Sequence, residues 1–369
     1  MKPRPEFRFV RATRADEPDI RALVGGLVMP GSVHVRFERE PDYFLGTTIQ
    51  GDPCDVLIAR HLPDDALAGV MVQAERLVYL NGAPERVAYI GQIRIAPRFQ
   101  GRWLMQRAVL ESSQLRDTTL PCFGVIATDN PTALGSIAGR RPPGAPRLWR
   151  VAHLHSRAYV LHDGRYRRHA TLPVESCADA SLDELVAFLR RCGPGRQFFP
   201  VLERGHLTDG QHYRGLRVRD LQLVRRDGAI VGVLGAWDQR SFKQEIVDGY
   251  APRLRRLRPG YDLLASILGG ERLPRPGEPI RTAFGALRCV ADDDPDVLDA
   301  LLCAAREQAW CQDQAFLMVG FDDRDPQRHR LRRSLHVTYE SDVFLASFGD
   351  ADPGAMLDGR PVYVEIGTL

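Results

Sequence analysis

At 369 residues and 44% hydrophobic side chains the chain can bury a large core, and its length exceeds what one domain usually holds, so two domains are expected. A formal net charge of +3 gives no electrostatic reason to expect nucleic acid or a membrane surface as partner. Lysine occurs only at Lys2 and Lys243, and arginine carries the rest of the positive charge, as GC-rich bacterial coding would produce. The longest apolar runs, such as Ala229 to Trp237, are too short to cross a bilayer, and MKPRPEFRF lacks the apolar stretch of a leader. A cytoplasmic protein is expected. Seven cysteines without a C-x-x-C pair read as reduced thiols.

In chain order, alternation from Phe7 to Val10 predicts a strand. A helix follows, with Thr13 or Asp16 as cap and Ile20, Leu23 and Val24 on its buried face. A hairpin is expected from Val56–Ala59 and Ala68–Gln73 around a Pro-Asp-Asp turn, and a third strand spans ERVAYIGQIRIAP. A helix to about Leu115, the strand CFGVIAT, a short helix after Asp129, and strands near Leu148–Arg150 and Ala158–His162 complete one mixed α/β domain. The polar stretch Gly164–Ser181 reads as an interdomain join. A second round repeats the order: the helix SLDELVAFLRRCG, a hairpin turning at Asp227-Gly228, a strand–turn–helix in FGALRCVADDDPDVLDALLCAAREQA, and late strands QAFLMVGFDD and SDVFLASF. That repetition suggests an internal duplication, with Leu254–Gly277 as a longer linker.

The chemistry concentrates where a strand runs through Pro97 into a helix. A helix start offers free N–H groups and partial positive charge, so the turn carrying Gln100, Gly101 and Arg102 is a ready anion site, diphosphate being the first candidate. The segment Ile95-Ala96-Pro97-Arg98-Phe99-Gln100-Gly101-Arg102 and its helix resemble the acetyl-CoA signature of the GNAT N-acetyltransferases. In that family the pattern is Gln or Arg, two residues, Gly, one residue, then Gly or Ala. The resemblance covers most of residues 6 to 165, including ATDNPTALGSIAG, which is similar to the family's second cofactor motif. It implies a fold of two tandem GNAT-like domains, each a mixed, mostly antiparallel sheet flanked by helices, divided as 1–168 and 169–369. Counted from Gln100, Trp103 and Met105 hold the two small positions. Counted from Arg98, Gly101 is recovered, but Trp103 still stands at the last one.

By that resemblance, Gln100, Gly101, Arg102, Trp103 and Leu104 contact the diphosphate of acetyl-CoA or another short acyl-CoA, through backbone amides where the side chain is apolar. Ile93, Arg94 and Ile95 match the splayed strand that holds the pantetheine arm, and Asn130 matches the asparagine touching it, a role that coexists with helix capping. The family's strand carboxylate and helix tyrosine fall at Gln92 and at Ser136 or Ile137, so Tyr89 or Glu85 is expected to handle the proton. In the stretch His34–Phe44, the residues Glu38, Glu40, Asp42 and Tyr43 lie where the family's substrate loop falls and could receive a cationic amine. Asp292, Asp293 and Asp294 at the equivalent helix start of the second copy would cap it and repel diphosphate, which implies loss of CoA binding there. WDQRSFKQ, Trp237–Gln244, reads either as a cleft wall or as a polar structural knot. His153 and His155 share one side of a strand without a third ligand nearby in sequence, so no metal is expected. Arg253–Arg258 reads as a solvated helix face. The expected activity is direct acyl transfer to a small-molecule or peptide amine, with a catalytically silent acyl-CoA-binding protein as alternative. A homodimer is left open.

Overall fold

The computed structural model describes residues 6–115, 120–138, 144–162, 166, 170–267, 271–330, 334–347 and 352–369. The alternating stretches form strands, and nearly all of them join one sheet. In the first half β1 (Phe7–Arg11), α1 (Glu17–Gly25), β2 (Val28–Met29), β3 (Val33–Glu38), β4 (Cys54–His61), β5 (Leu67–Leu80) and β6 (Ala83–Ile95) lead to α2 (Leu104–Leu115). β7 (Cys122–Ala127), α3 (Pro131–Ala138) and β8 (Arg147–Val160) follow. The second half has β9 (Glu175–Ser176), α4 (Leu182–Cys192), α5 (Arg204–Thr208), β10 (Leu221–Arg226), β11 (Ala229–Asp238), β12 (Gln244–Tyr250) and α6 (Pro252–Ile267). It ends with β13 (Thr282–Val290), α7 (Pro295–Cys311), β14 (Phe316–Asp322) and β15 (His336–Ser347).

The principal sheet has twelve strands in the order β1-β4-β5-β6-β7-β15-β8-β14-β13-β11-β10-β9. Each half contributes one parallel pair, β6·β7 and β13·β14, among antiparallel neighbours. The last strand of each half crosses over. β15 pairs with β7 of the first half, and β8 pairs with β14 of the second, while β8 and β15 pair with each other from Arg147 to Tyr159. The two halves therefore share a backbone ladder through the middle of the molecule. A second, three-stranded sheet also mixes them: β12 pairs with β3, which pairs with β2.

Helices cover both faces. Val297, Leu298, Leu301 and Leu302 of α7 pack on Val224, Leu234, Leu317 and Phe321, and Leu185, Phe188 and Leu189 of α4 pack on Leu221, Val233 and Trp237 from the other side. A Cβ at Gly232 would meet Val297 Cγ1 at 2.4 Å, so glycine is what lets α7 approach β11. In the first half Ile20 and Val24 of α1 bury Val56, Ile58, Val70 and Val72. Among the described residues no helix is long and apolar enough to cross a membrane, and all seven cysteines are free.

Three expectations are revised. The two short strands expected near 148–150 and 158–162 are one strand, β8, held continuous by pairing with β15 along its length. The Leu254–Gly277 linker contains most of α6, whose Arg258 pairs with Asp262 one turn on. The segment His34–Phe44 opens with a strand, β3, because β12 from the other half supplies its ladder.

The two halves also differ in what lies in their parallel pairs. β13 carries Leu287 at φ 55, one strand position where its register with β11 shifts, and the Leu287 N–H donates to Glu365 Oε2 at 2.9 Å. The Tyr363 hydroxyl donates to the same oxygen at 2.8 Å, Val362 N–H reaches Asp322 at 2.7 Å, and Ile366 fills the space a Cβ on Gly320 would take. The segment Val362–Ile366 thus occupies the gap between β13 and β14. Burial pushes Glu365 up to about 7, against the Leu287 N–H and Tyr363 hydroxyl that favour the anion. A folded value above the unfolded one means that its contribution is complete below about pH 4.5 and fades as pH rises through about 7. Glu365→Gln keeps an acceptor for both donors. From about pH 5 to about pH 8 the wild type should therefore lose stability relative to this variant, by up to about 3 kcal/mol, in denaturant unfolding at each pH.

Candidate functional site

The first half carries the same strand irregularity. The register of β5 with β6 shifts between Val70 and Val72, and Gln92 takes φ 53, as Leu287 does in the second half. β6 and β7 pair only at Ala88↔Cys122 and Tyr89↔Phe123. Beyond those rungs the strands part, and no side chain among the described residues accepts from the Gln92 N–H. Ile93, Arg94 and Ile95 lie on this departing stretch.

β6 leads through a turn at Pro97–Phe99 into α2. Phe99 anchors the turn, buried against Phe7 with ring centroids 5.6 Å apart. Gly101 at φ 76 and Trp103 at φ 58 bend the backbone so that Leu104 starts the helix. The N–H groups of Gly101, Arg102, Trp103, Leu104 and Met105 find no acceptor among the described residues, as at any uncapped helix start. A Cβ on Gly101 would meet nothing within 4 Å, and the Trp103 side chain is 45% exposed and not packed into the core. Gln100 is exposed, while Arg98 pairs with Asp64 at 2.6 Å and Arg102 pairs with Glu6, so those two cations already have carboxylates. Asn130 Oδ1 accepts from Ala133 N–H at 3.0 Å and caps α3.

Tyr89 is buried at the point where the strands part. Its ring lies under the Arg76 guanidinium at 3.9 Å and against Phe123 at 5.2 Å, and its hydroxyl covers the place where a Cβ on Gly91 would sit. Burial raises its pKa against the pull of Arg76 and Arg94, so the phenol stays protonated. Glu85, four residues back and about 13 Å along the strand, is exposed at the margin of a cavity of about 670 Å³. That cavity starts at Ala88, Ile90 and Cys122, where the strands part, and runs between the sheet and Val109 and Ser112 of α2.

The expected substrate residues sit on β3 and the turn after it, each acid with an arginine: Glu38 with Arg36 at 3.0 Å, Glu40 with Arg21 at 2.6 Å, and Asp42 with Arg14. Tyr43 is buried, and its hydroxyl has no hydrogen-bond partner. Desolvation pushes it up to about 12. Sequence reading missed the groups beside them. Arg39 is buried and donates to Gln92 Oε1 at 3.0 Å, tying the turn to the strand irregularity. Lys243, just before β12, donates to the main-chain oxygen of Leu369 at 2.6 Å and to the Gly367 carbonyl at 3.2 Å. Burial, with Arg39 close by, pulls it down to about 7, while Glu245 works the other way and is itself raised by desolvation. Arg94 Nε is buried without a partner. Arg39 and Lys243 thus face Glu245, with Arg94 close to both of them. The signal available in sequence was that Lys243 is one of only two lysines and falls in WDQRSFKQ, the stretch read as a cleft wall or a polar knot. The contacts there are those of the polar knot: Gln244 accepts from Glu40 N–H and donates to the Glu40 carbonyl, each at 3.0 Å, and Arg240 holds Asp238.

No protein-family model and no curated protein matches this sequence. Solved structures do. N-myristoyltransferase of Saccharomyces cerevisiae with bound myristoyl-CoA superposes with a TM-score of 0.62 over 99% of this chain and 90% of that one, at 9% identity. A GCN5-related glucosamine N-acetyltransferase region of a fungal multi-domain β-N-acetylglucosaminidase matches over 92% of this chain and 38% of that one, with a TM-score of 0.55 and 13% identity. A GCN5-related N-acetyltransferase from Sphaerobacter thermophilus matches over 95% and 98%, with a TM-score of 0.52 and 12% identity. These likenesses show the GCN5-related N-acetyltransferase fold, and the parallel pair, irregular strand and following helix start found in each half are consistent with a tandem arrangement of it.

Proposed function

We propose that the protein is an N-acyltransferase that moves an acyl group from acyl-CoA to an amine in a ternary complex, using the half before residue 169, with the half after it as scaffold. The observation that carries this is the parting of β6 from β7 next to a helix start whose amides have no acceptor. An extended pantetheine arm can pair with the free edge at Ile93–Ile95 while the amides of Gly101–Met105 meet the diphosphate. The corresponding gap in the second half is taken by Val362–Ile366, and Asp294 caps α7 through Asp296 and Val297 N–H, which favours one cofactor per chain.

In the reaction the amine nitrogen attacks the thioester carbon, the C–S bond breaks, and the ammonium proton must leave. Tyr89, kept protonated by burial, suits proton donation to the departing thiolate and is unsuited to be the base. Glu85 lies too far along the strand to share that step. The excess of positive charge at Arg39, Arg94 and Lys243 disfavours an ammonium and so promotes the neutral, nucleophilic amine. The absence of a carboxylate on the parted strand keeps a second reading in play, an acyl-CoA-binding protein without turnover.

The acyl group is short in the simplest reading. The cavity at Ala88, Ile90 and Cys122 favours a longer one, because it opens where the thioester would sit and its wall is mostly apolar.

Three measurements test these assignments. Acyl-CoA at a hundred times its Kd should stabilise the fold by about 2.7 kcal/mol in thermal unfolding. Gly101→Val, strained at φ 76 but free of clash, should fold and lose that response; thiol release with an amine panel then separates enzyme from silent binder. Asn130→Ala should cost about 1 kcal/mol through the lost cap, which Asn130→Asp restores. Coenzyme affinity that stays weak in Asn130→Asp would mark contact with the pantetheine arm, and full recovery would mark a cap alone. Val109→Trp narrows the cavity and should raise KM for long acyl-CoA by about tenfold, with acetyl-CoA nearly unaffected.

A further inference from the structure

The exchanged strands bring together a cluster outside the acyl-transfer site. His153 and His155 on β8 stand opposite Asp342 and Glu340 on β15 in the paired register. Their outer ring nitrogens are engaged: His153 Nδ1 lies 2.7 Å from Asp342 Oδ1 and His155 Nε2 lies 2.8 Å from Asp323 Oδ1, just past the end of β14. A carboxylate can only accept there, so each outer nitrogen carries the hydrogen and each inner nitrogen presents a lone pair. Both inner nitrogens face one carboxylate. His153 Nε2 is 3.8 Å from Glu340 Oε2, and His155 Nδ1 is 3.7 Å from Glu340 Oε1. One ligand atom from each of the three residues falls within 4.8 Å of the others.

Three lone-pair atoms converging without a donor call for a cation among them, either extra protons on the imidazoles or a metal ion. We propose that His153, His155 and Glu340 form a site for a divalent transition metal, zinc by donor chemistry. Two neutral imidazoles and a carboxylate are a zinc set, and bonds of about 2.0–2.2 Å in tetrahedral geometry separate ligand atoms by about 3.4 Å, against 3.8 and 3.7 Å from the two imidazoles to Glu340 and at most 4.8 Å across the set here. Asp342 and Asp323 fix ring orientation and tautomer, the arrangement that outer carboxylates give metal-binding histidines. The cluster lies on the α7 face of the sheet, since His155 pairs with Phe321 of the α7 core, and it borders an open pocket of about 560 Å³ that leaves a side for solvent. Arg150, 3.5 Å from Asp342, and Arg328, paired with Asp323, offset the charge of the outer carboxylates. The ligands come from both halves, so the ion pins β8 to β15 at the crossover. Sequence reading found no third ligand because Glu340 is remote in the chain and becomes a neighbour only through the strand exchange.

The test uses untagged full-length protein, stripped with chelator and dialysed, then titrated with Zn²⁺ by calorimetry and with Co²⁺ by visible absorption. Wild type should bind one equivalent saturably, show the intense d–d bands of a low-coordinate cobalt site and unfold at higher temperature with zinc. Glu340→Gln, at a half-exposed position, should fold and lose the binding and the cobalt spectrum, as should His155→Ala. Asp342→Asn should weaken affinity about 10- to 100-fold. His206→Ala, in the separate His206–His212 pair, should change nothing. The proposal is overturned if wild type takes up no stoichiometric zinc, which would leave protonated imidazoles as the bridging cations. It is equally overturned if binding survives in both Glu340→Gln and His155→Ala.

Discussion

The ladder between β8 and β15 is the interaction on which the rest depends. Each strand ends its own half of the chain, yet each also completes the other half's sheet, so β7, β15, β8 and β14 run side by side. Backbone hydrogen bonds are obligatory in a buried sheet. Separating the halves would therefore strip partners from four strands at once. The small sheet of β2, β3 and β12 repeats this logic above the site, where β12 of the second half supplies the edge that turns His34–Glu38 into a strand.

That sharing explains how the gap between two parted strands can be filled in one half without loosening the sheet. In β13 and β14 the parted strands remain, down to the positive φ at Leu287, but Glu365 satisfies the amide there and the segment around it fills the space. In β6 and β7 the same irregularity, at Gln92, is held by Arg39 from the side and faces a helix start with amides to spare. The irregular strand thus recurs in both halves, and in the second the segment Val362–Ile366 occupies the gap beside it.

The charges around the site follow from the same closure. Arg39, Arg94 and Lys243 converge because β3 and β12 fold over the irregular strand, and the low polarity there is what pulls Lys243 down and Glu245 up. The acids expected to greet a cationic amine are each paired with arginine on the outside of this layer.

Local sequence determined much of this. Alternation located β1, β4 to β7, β10, β11 and β13 to β15, amphipathic spacing located α1, α2, α4 and α7, and the Pro-Gly turn before α2 marked a helix start with free amides. These signals are local because side-chain period and N–H exposure at a helix start depend on a few adjacent residues. What only the tertiary structure decided was which strands exchange, and with that the continuity of β8, the filling of the second gap, the cation cluster at Gln92 and the meeting of His153 and His155 with Glu340. Each of these is a contact between residues far apart in the chain, and no periodicity along one segment specifies which distant segment will supply its ladder.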